Sequence, residues 1–281
     1  MKQLKKYESA KKFFKKKNFI VEDKKLKAVL ASIEEGLPIL AVGPTGSGKT
    51  QFFELLSEFL GGVYNYQSLN GSITMHDLTE ERIIGKNGKF EEKDMILATW
   101  LRSAKKGISF LQLDEINAAK PETLLSLHPI MDVKGELKLP YSEEILKVNK
   151  NSVLVMSCNE GEEYLGINAM NVAFQNRYIK IHFEYIQGRE LVNLLVAKTK
   201  VSEENATQVV NTWEKYMTSK NYDQIVIGIR VLERWCNLSH YLGLKEAGEF
   251  AFAGIIARDQ EELKEIVEGD FFVNLSSGVE K

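Results

Sequence analysis

Along the first two thirds of the chain, apolar residues alternate between two spacings: stretches with a period near 3.6 and short apolar runs bounded by glycine. Residues 26–33 have helical spacing and end at Gly36. The apolar run 38–42 reads as a strand, and 50–60 as a helix stopped by Gly61 and Gly62. Residues 63–69 alternate and are rich in strand formers, so they predict a second strand. Within 70–95 the turn signal at 85–89 predicts a small hairpin, and 96–104 then looks helical. Residues 108–113 and 152–158 are apolar runs of buried-strand length, separated by an alternating stretch at 135–139 that suggests another hairpin. A short helix at 168–175 and a last strand at 178–183 follow. Beyond Gly188 the pattern turns helical. Ser202 can cap a helix whose Ala206, Val209, Val210, Trp213 and Met217 share one face, and further helices are expected at 227–242 and within 246–267. Strands alternating with helices predict an α/β fold with a parallel sheet, followed by an all-α domain. The expected divisions are a basic helical arm at 1–22, an α/β core at 23–187 and a helical domain at 188–281.

The turn between the first strand and its helix carries the chemistry. It reads Gly43, Pro44, Thr45, Gly46, Ser47, Gly48, Lys49, Thr50, with Gln51 opening the helix. Three glycines let backbone N–H groups approach phosphate oxygens, and the helix N-terminus adds a positive dipole end. Lys49 is then expected to neutralise the β and γ phosphates of ATP, and the Thr50 hydroxyl to hold Mg²⁺. The strand at 108–113 delivers Asp114 and Glu115 at its C-terminal end, the edge at which open α/β sheets bind ligands. Asp114 is expected to hold Mg²⁺ through its waters, and Glu115 to accept a proton from the attacking water.

Composition excludes several classes. The chain has 281 residues, 44% hydrophobic and 27% charged, which suits a globular fold of one large and one smaller domain. Its longest apolar runs fall far short of the roughly 20 residues that span a bilayer. The lysine-rich start lacks an apolar core, so no secretory signal is expected and the cytoplasm is the expected compartment. Two cysteines and four histidines show no metal or disulfide spacing. The net charge of −2 hides an asymmetry: residues 1–27 carry +8, leaving −10 elsewhere. Such an arm can meet nucleic acid or an acidic partner. Its Leu4, Tyr7, Ala10, Phe13 and Phe14 also recur at helical spacing, which favours a packed helix with lysines on the wet face.

With these elements placed, GPTGSGKT at 43–50, LQLDEINAA at 111–119 and SCNEGEEYLGINAMNVAFQNRY at 157–178 resemble the AAA+ ATPases of the MoxR and dynein-related branch, which includes CbbQ, NorQ and GvpN. Met75, His76, Asp77 and Leu78 with Gly85 resemble the segment of that branch where an insertion interrupts the second helix. The resemblance implies a P-loop fold with a five-stranded parallel sheet sandwiched by helices, then a small all-α lid. It implies that Asn159 aligns the attacking water, that Arg177 reaches the nucleotide of a neighbouring subunit, and that Arg230 contacts nucleotide from the lid. Asn176 stands where many relatives have Asp, so Arg189 is a second candidate for the trans-acting arginine. It further implies a homo-oligomeric ring, expected to be a hexamer, that remodels, activates or assembles a protein partner, with a von Willebrand factor A domain protein as an expected associate. A different class stays open on the basic arm and the related McrB branch: a nucleic-acid-associated motor, or a GTP-using switch; the absence of an Asn-Lys-x-Asp base-reading motif weakens a Ras-like GTPase and leaves ATP versus GTP open. A small-molecule kinase is disfavoured by Glu115 beside Asp114 and by the helical lid.

Overall fold

The computed structural model describes residues 2–85, 88–132, 134–159, 172–219, 225–269, 271–273 and 275. The chain forms two units: Met1–Phe14, Val21–Gly43 and Gly48–Phe183 make the first, and Lys15–Ile20, Pro44–Ser47 and Glu184–Lys281 the second. No helix among the described residues is long and apolar enough to cross a membrane.

The first unit begins with α1 (Lys2–Lys16), which continues into residues of the second, and α2 (Asp23–Glu34). It continues with β1 (Ile39–Val42), α3 (Lys49–Phe59), β2 (Val63–Ser68), α4 (Met75–Thr79), β3 (Glu80–Ile84), β4 (Phe90–Asp94), α5 (Ile96–Ala104) and β5 (Ser109–Asp114). Then come α6 (Pro121–Ser126), α7 (His128–Met131), β6 (Glu136–Lys138), β7 (Ile145–Lys147), β8 (Ser152–Cys158), α8 (Val172–Gln175) and β9 (Ile179–His182). Five strands form one parallel sheet in the order β2-β5-β8-β1-β9. β1 and β8 are buried along their whole length, and β5 up to its last residue. Burial on both faces is why their sequences read as continuous apolar runs rather than alternations. β2, at the edge, is half exposed and carries tyrosines and an asparagine instead. Leu97, Trp100 and Leu101 of α5 pack with Leu111, Leu113, Leu154 and Met156 of the sheet.

The apolar stripe of α1 packs as its spacing suggests from Tyr7 onward, the Leu4 side chain lying outside the described residues. Tyr7, Ala10 and Phe14 are buried, and Phe14 stacks on Phe52 of α3 at 5.2 Å between ring centroids, while Lys5, Lys11 and Lys12 stay exposed.

β3 and β4 form an antiparallel hairpin separate from the main sheet, with Ile84 opposite Phe90. A lone hairpin is marginal in water. This one is clamped at its base: the Glu80 carboxylate, 2% exposed, accepts from the backbone N–H groups of Tyr141 (2.8 Å) and Ser142 (2.9 Å), and Arg82 lies over the Tyr141 ring. Arg102 of α5 bonds both Asp94 and Glu144. Burial alone would raise the Glu80 pKa, but the two N–H groups and the nearby Arg102 outweigh it and hold the carboxyl below its usual range. A depressed pKa means that Glu80 stabilises the fold above the unfolded carboxylate pKa of about 4.3, and that this contribution is lost as pH falls through the folded value. Glu80→Leu leaves two part-buried N–H groups without their acceptor and should cost about 1–3 kcal/mol in all, because both residues reach solvent. Hydrogen exchange should report it as faster opening of β3–β4 and of residues 141–142; protection equal to wild type would refute the clamp.

The second unit adds α9 (Gly188–Thr199), α10 (Glu203–Thr218), α11 (Ile229–Leu242), α12 (Leu244–Gly248), a π-helical stretch Glu249–Ala253, α13 (Gly254–Ile256) and α14 (Gln260–Glu268). The Ser202 hydroxyl caps α10 by accepting from Asn205 N at 3.1 Å. Trp213, Leu232, Trp235, Phe252 and Phe272 form the centre of its core. The α/β sheet unit followed by a helical unit is the architecture that the alternating and then purely helical patterns predict.

Candidate nucleotide site

Because β1, β5 and β8 are parallel neighbours, their C-terminal ends present Gly43, Asp114 with Glu115, and Asn159 along one sheet edge. Lys49 opens α3 there. It is only 7% exposed, yet its ammonium is not stranded: Nζ donates to Gly43 O at 2.7 Å and to Asn159 Oδ1 at 3.0 Å. These bonds hold the charge at the loop it is expected to serve. Gly48, the α3 N-cap, has φ 86° and ψ 11°, a left-handed conformation that favours glycine. At Gly43 the constraint is space, since a Cβ there would lie 2.0 Å from the carbonyl oxygen of Phe183. Gly43→Ala must therefore push β1 from β9 or distort the loop; it should lose nucleotide binding and lower Tm, and a variant with wild-type affinity would show that the loop tolerates the shift.

The loop tip, Pro44 to Ser47, belongs to the second unit. There the Tyr185 hydroxyl donates to Thr45 O at 2.6 Å, Gly46 takes φ 77°, and Ser47 Oγ is buried without a partner among the described residues. Gln51 follows on an exposed position of α3.

Asp114 has both carboxylate oxygens engaged. Oδ1 accepts from Ser157 Oγ at 2.6 Å and from Glu115 N at 3.0 Å, and Oδ2 accepts from the Tyr66 hydroxyl at 2.9 Å. Glu115 is exposed and has φ 54°, ψ 40°, an uncommon conformation for a side-chain-bearing residue. Its Oε2 accepts from Ser68 Oγ at 2.9 Å. Behind the pair, buried Gln112 accepts from the Tyr64 hydroxyl through Oε1 at 2.7 Å, while its Nε2 donates to Ser157 Oγ at 2.9 Å and reaches Thr50 Oγ1 at 3.4 Å. Burial, reinforced by Glu54, Tyr66 and Asp114, pushes the Tyr64 phenol well above its usual pKa, so it acts as a hydrogen donor at every physiological pH. The Asn159 backbone oxygen accepts from Asn117 Nδ2 at 3.1 Å.

Arg177 sits just before β9. Its backbone N–H donates to Phe174 O, the Phe174 ring is buried beside His128, and the guanidinium Nε meets Asp132 Oδ1 at 2.6 Å. Of the helix expected at 168–175, Val172–Gln175 is observed; residues 160–171 lie outside the described residues. In the second unit, Arg189 is exposed and paired with Glu203 at 2.6 Å, and Arg230 is exposed at the second residue of α11.

A hydroxyl and a carboxylate are hard oxygen donors of the kind Mg²⁺ prefers. The glycine loop, the Lys49 ammonium and the α3 N-terminus suit a triphosphate. The residues present therefore fit a magnesium nucleotide. Reasoning from sequence missed the residues that hold these groups: Ser68, Tyr66, Gln112, Asn117, Asp132 and Ser157. One signal was visible, a glutamine inside the mostly apolar run 108–113.

A sequence profile of the AAA domain, dynein-related subfamily, matches residues 38–178. The chain belongs to this family. That span holds the phosphate loop, Asp114, Glu115, Asn159 and Arg177 of this AAA protein, and membership implies nucleotide binding. The chain is 30% identical over 213 residues to an uncharacterized protein of Staphylococcus aureus strain bovine RF122 / ET3-1, a match covering 74% of this chain and 80% of that one. The counterpart in strain NCTC 8325 / PS 47 matches over the same length with the same identity. A crystal structure from Cytophaga hutchinsonii ATCC 33406, of a protein provisionally described as an ATPase, superposes with a TM-score of 0.52 at 17% identity, covering 95% of this chain and 86% of that one. The likeness supports the fold.

Proposed function

We propose that this AAA protein hydrolyses ATP to ADP and phosphate with Mg²⁺, and that it does so as a homo-oligomeric ring that remodels or activates a protein partner in the cytoplasm. The observation that carries the reading is the meeting of Lys49, Asp114, Glu115 and Asn159 at one sheet edge. Thr50 and Asp114 would hold Mg²⁺, which supplies charge neutralisation on the phosphate oxygens. Lys49 leaves Gly43 O and Asn159 to bind the β and γ phosphates, and the Asn159 amide so released orients water. Glu115, reached by exchanging its Ser68 bond for a bond to water, takes the proton on a carboxylate oxygen. Arg177, and less directly Arg189, are the residues proposed to act on a neighbour's nucleotide, with Arg230 contacting nucleotide from the helical unit. Six copies and a von Willebrand factor A domain partner are the assembly that this branch suggests.

Phosphate release from ATP at graded protein concentration tests this reading. Release should require Mg²⁺, and specific activity should rise with concentration as rings form. Activity independent of concentration down to demonstrated monomer would overturn the ring, and binding without any release would overturn the hydrolase.

A further inference from the structure

The side chains behind the metal-holding pair form a directed chain that no part of the hydrolytic reading uses. Gln112 and Ser157 are both fully buried, on adjacent strands β5 and β8, with Leu111, Leu113 and Val155 as neighbours along the strands and across the pair. A primary amide in such a place is costly unless paired, and an apolar residue of the same shape would serve packing equally well.

Its pairing has one consistent direction. The 2.6 Å bond from Ser157 Oγ to Asp114 requires the serine proton, because a carboxylate only accepts. Ser157 must then accept from Gln112, so the amide nitrogen of Gln112 faces Ser157 and Thr50, and its oxygen faces the Tyr64 donor. The reversed amide would compete for the serine proton and break the Asp114 bond. Hydrogen bonds thus run from Tyr64 through Gln112 and Ser157 to the carboxylate, each polarising the next. The same amide that ends on Asp114 through Ser157 also reaches Thr50, so one buried group touches both arms of the candidate metal site. Thr50 Oγ1 meets it only at 3.4 Å, which leaves that hydroxyl oxygen with lone-pair capacity for a cation.

We propose that Gln112 and Ser157 are positioning residues that set the Thr50 hydroxyl and the Asp114 carboxylate in register for Mg²⁺. This rests on the reading of Thr50 and Asp114 as the metal-holding pair. Partners behind metal ligands typically contribute 10- to 100-fold to metal affinity.

The test uses Mn²⁺ in place of Mg²⁺, with free Mn²⁺ counted by electron paramagnetic resonance in the presence of a non-hydrolysable ATP analogue. Ser157→Ala and Gln112→Leu should each weaken Mn²⁺ binding by roughly tenfold or more. Affinity for the analogue in EDTA should stay within about twofold of wild type, and raising Mg²⁺ should recover turnover, which a misfolded site would not allow. Thr50→Ala and Asp114→Ala serve as references. If they too leave Mn²⁺ affinity unchanged, the metal assignment of the site has failed. If they weaken it while Ser157→Ala and Gln112→Leu do not, or if those variants only lower Tm, the positioning role is overturned. Should Ser157→Ala fail to fold, Gln112→Leu alone decides, since an apolar side chain of similar size fits the strand.

Discussion

Arg177→Ala should bind ATP yet turn it over about 10³-fold or more slowly, since an arginine supplied to the transferring phosphoryl group is worth about 10³ to 10⁵ in rate. That is roughly 4 to 7 kcal/mol of barrier. The structure gives this arginine a fixed base: Phe174 anchors the preceding turn in the core, and Asp132 holds the guanidinium. If Arg177 works on a neighbour's nucleotide, mixing Arg177→Ala with Lys49→Ala restores part of the activity, because one class of mixed interface pairs an intact phosphate loop with an intact arginine. Asp132→Asn keeps the shape but weakens the ion pair; because that pair is partly exposed, a loss well below that of Arg177→Ala is expected. A mixture that stays inactive while both variants co-assemble would remove the trans role, and a turnover of Arg177→Ala equal to wild type would remove the residue from the mechanism.

Glu115→Gln should keep affinity for Mg²⁺ and ATP but lose on the order of a hundredfold or more in kcat, the usual cost of a missing general base. Lys49→Ala should instead lose the nucleotide. The contrast follows from geometry. Lys49 is buried within the strand-edge cluster, where its charge faces Gly43 O and Asn159, whereas Glu115 is exposed and touches Ser68 through one oxygen. Turnover of Glu115→Gln at the wild-type rate would transfer the base role elsewhere.

What could be read from the sequence was what is contiguous in it. The phosphate loop is eight consecutive residues between a strand and a helix, and Asp114 with Glu115 ends an apolar strand, so local spacing fixes both. The helical second unit follows from Ser202 and the face of Val209, Val210 and Trp213, again a local pattern. The hairpin β3–β4 was legible through its glycine turn, but its clamp was not, because Glu80 meets residues 141 and 142 and Arg82 meets Tyr141. Short helix α4 was missed although Thr74 and Asp77 form a capping box, since only five residues follow the cap and no helical period can show in so few. The supporting groups of the site were hidden for the same reason as the clamp. Tyr66 is 48 residues from Asp114 and Ser157 is 43, and nothing in either strand's pattern announces the partner.

The central claim is that one edge of this sheet hydrolyses ATP using Lys49 and Glu115. The most direct measurement is phosphate release by wild type, Lys49→Ala and Glu115→Gln at one protein concentration, with ATP binding measured calorimetrically on the same samples. The account predicts Mg²⁺-dependent release by wild type, no binding by Lys49→Ala, and tight binding with almost no release by Glu115→Gln. Release that survives in both variants, or wild type that binds ATP at every concentration tested and never cleaves it, would contradict the account.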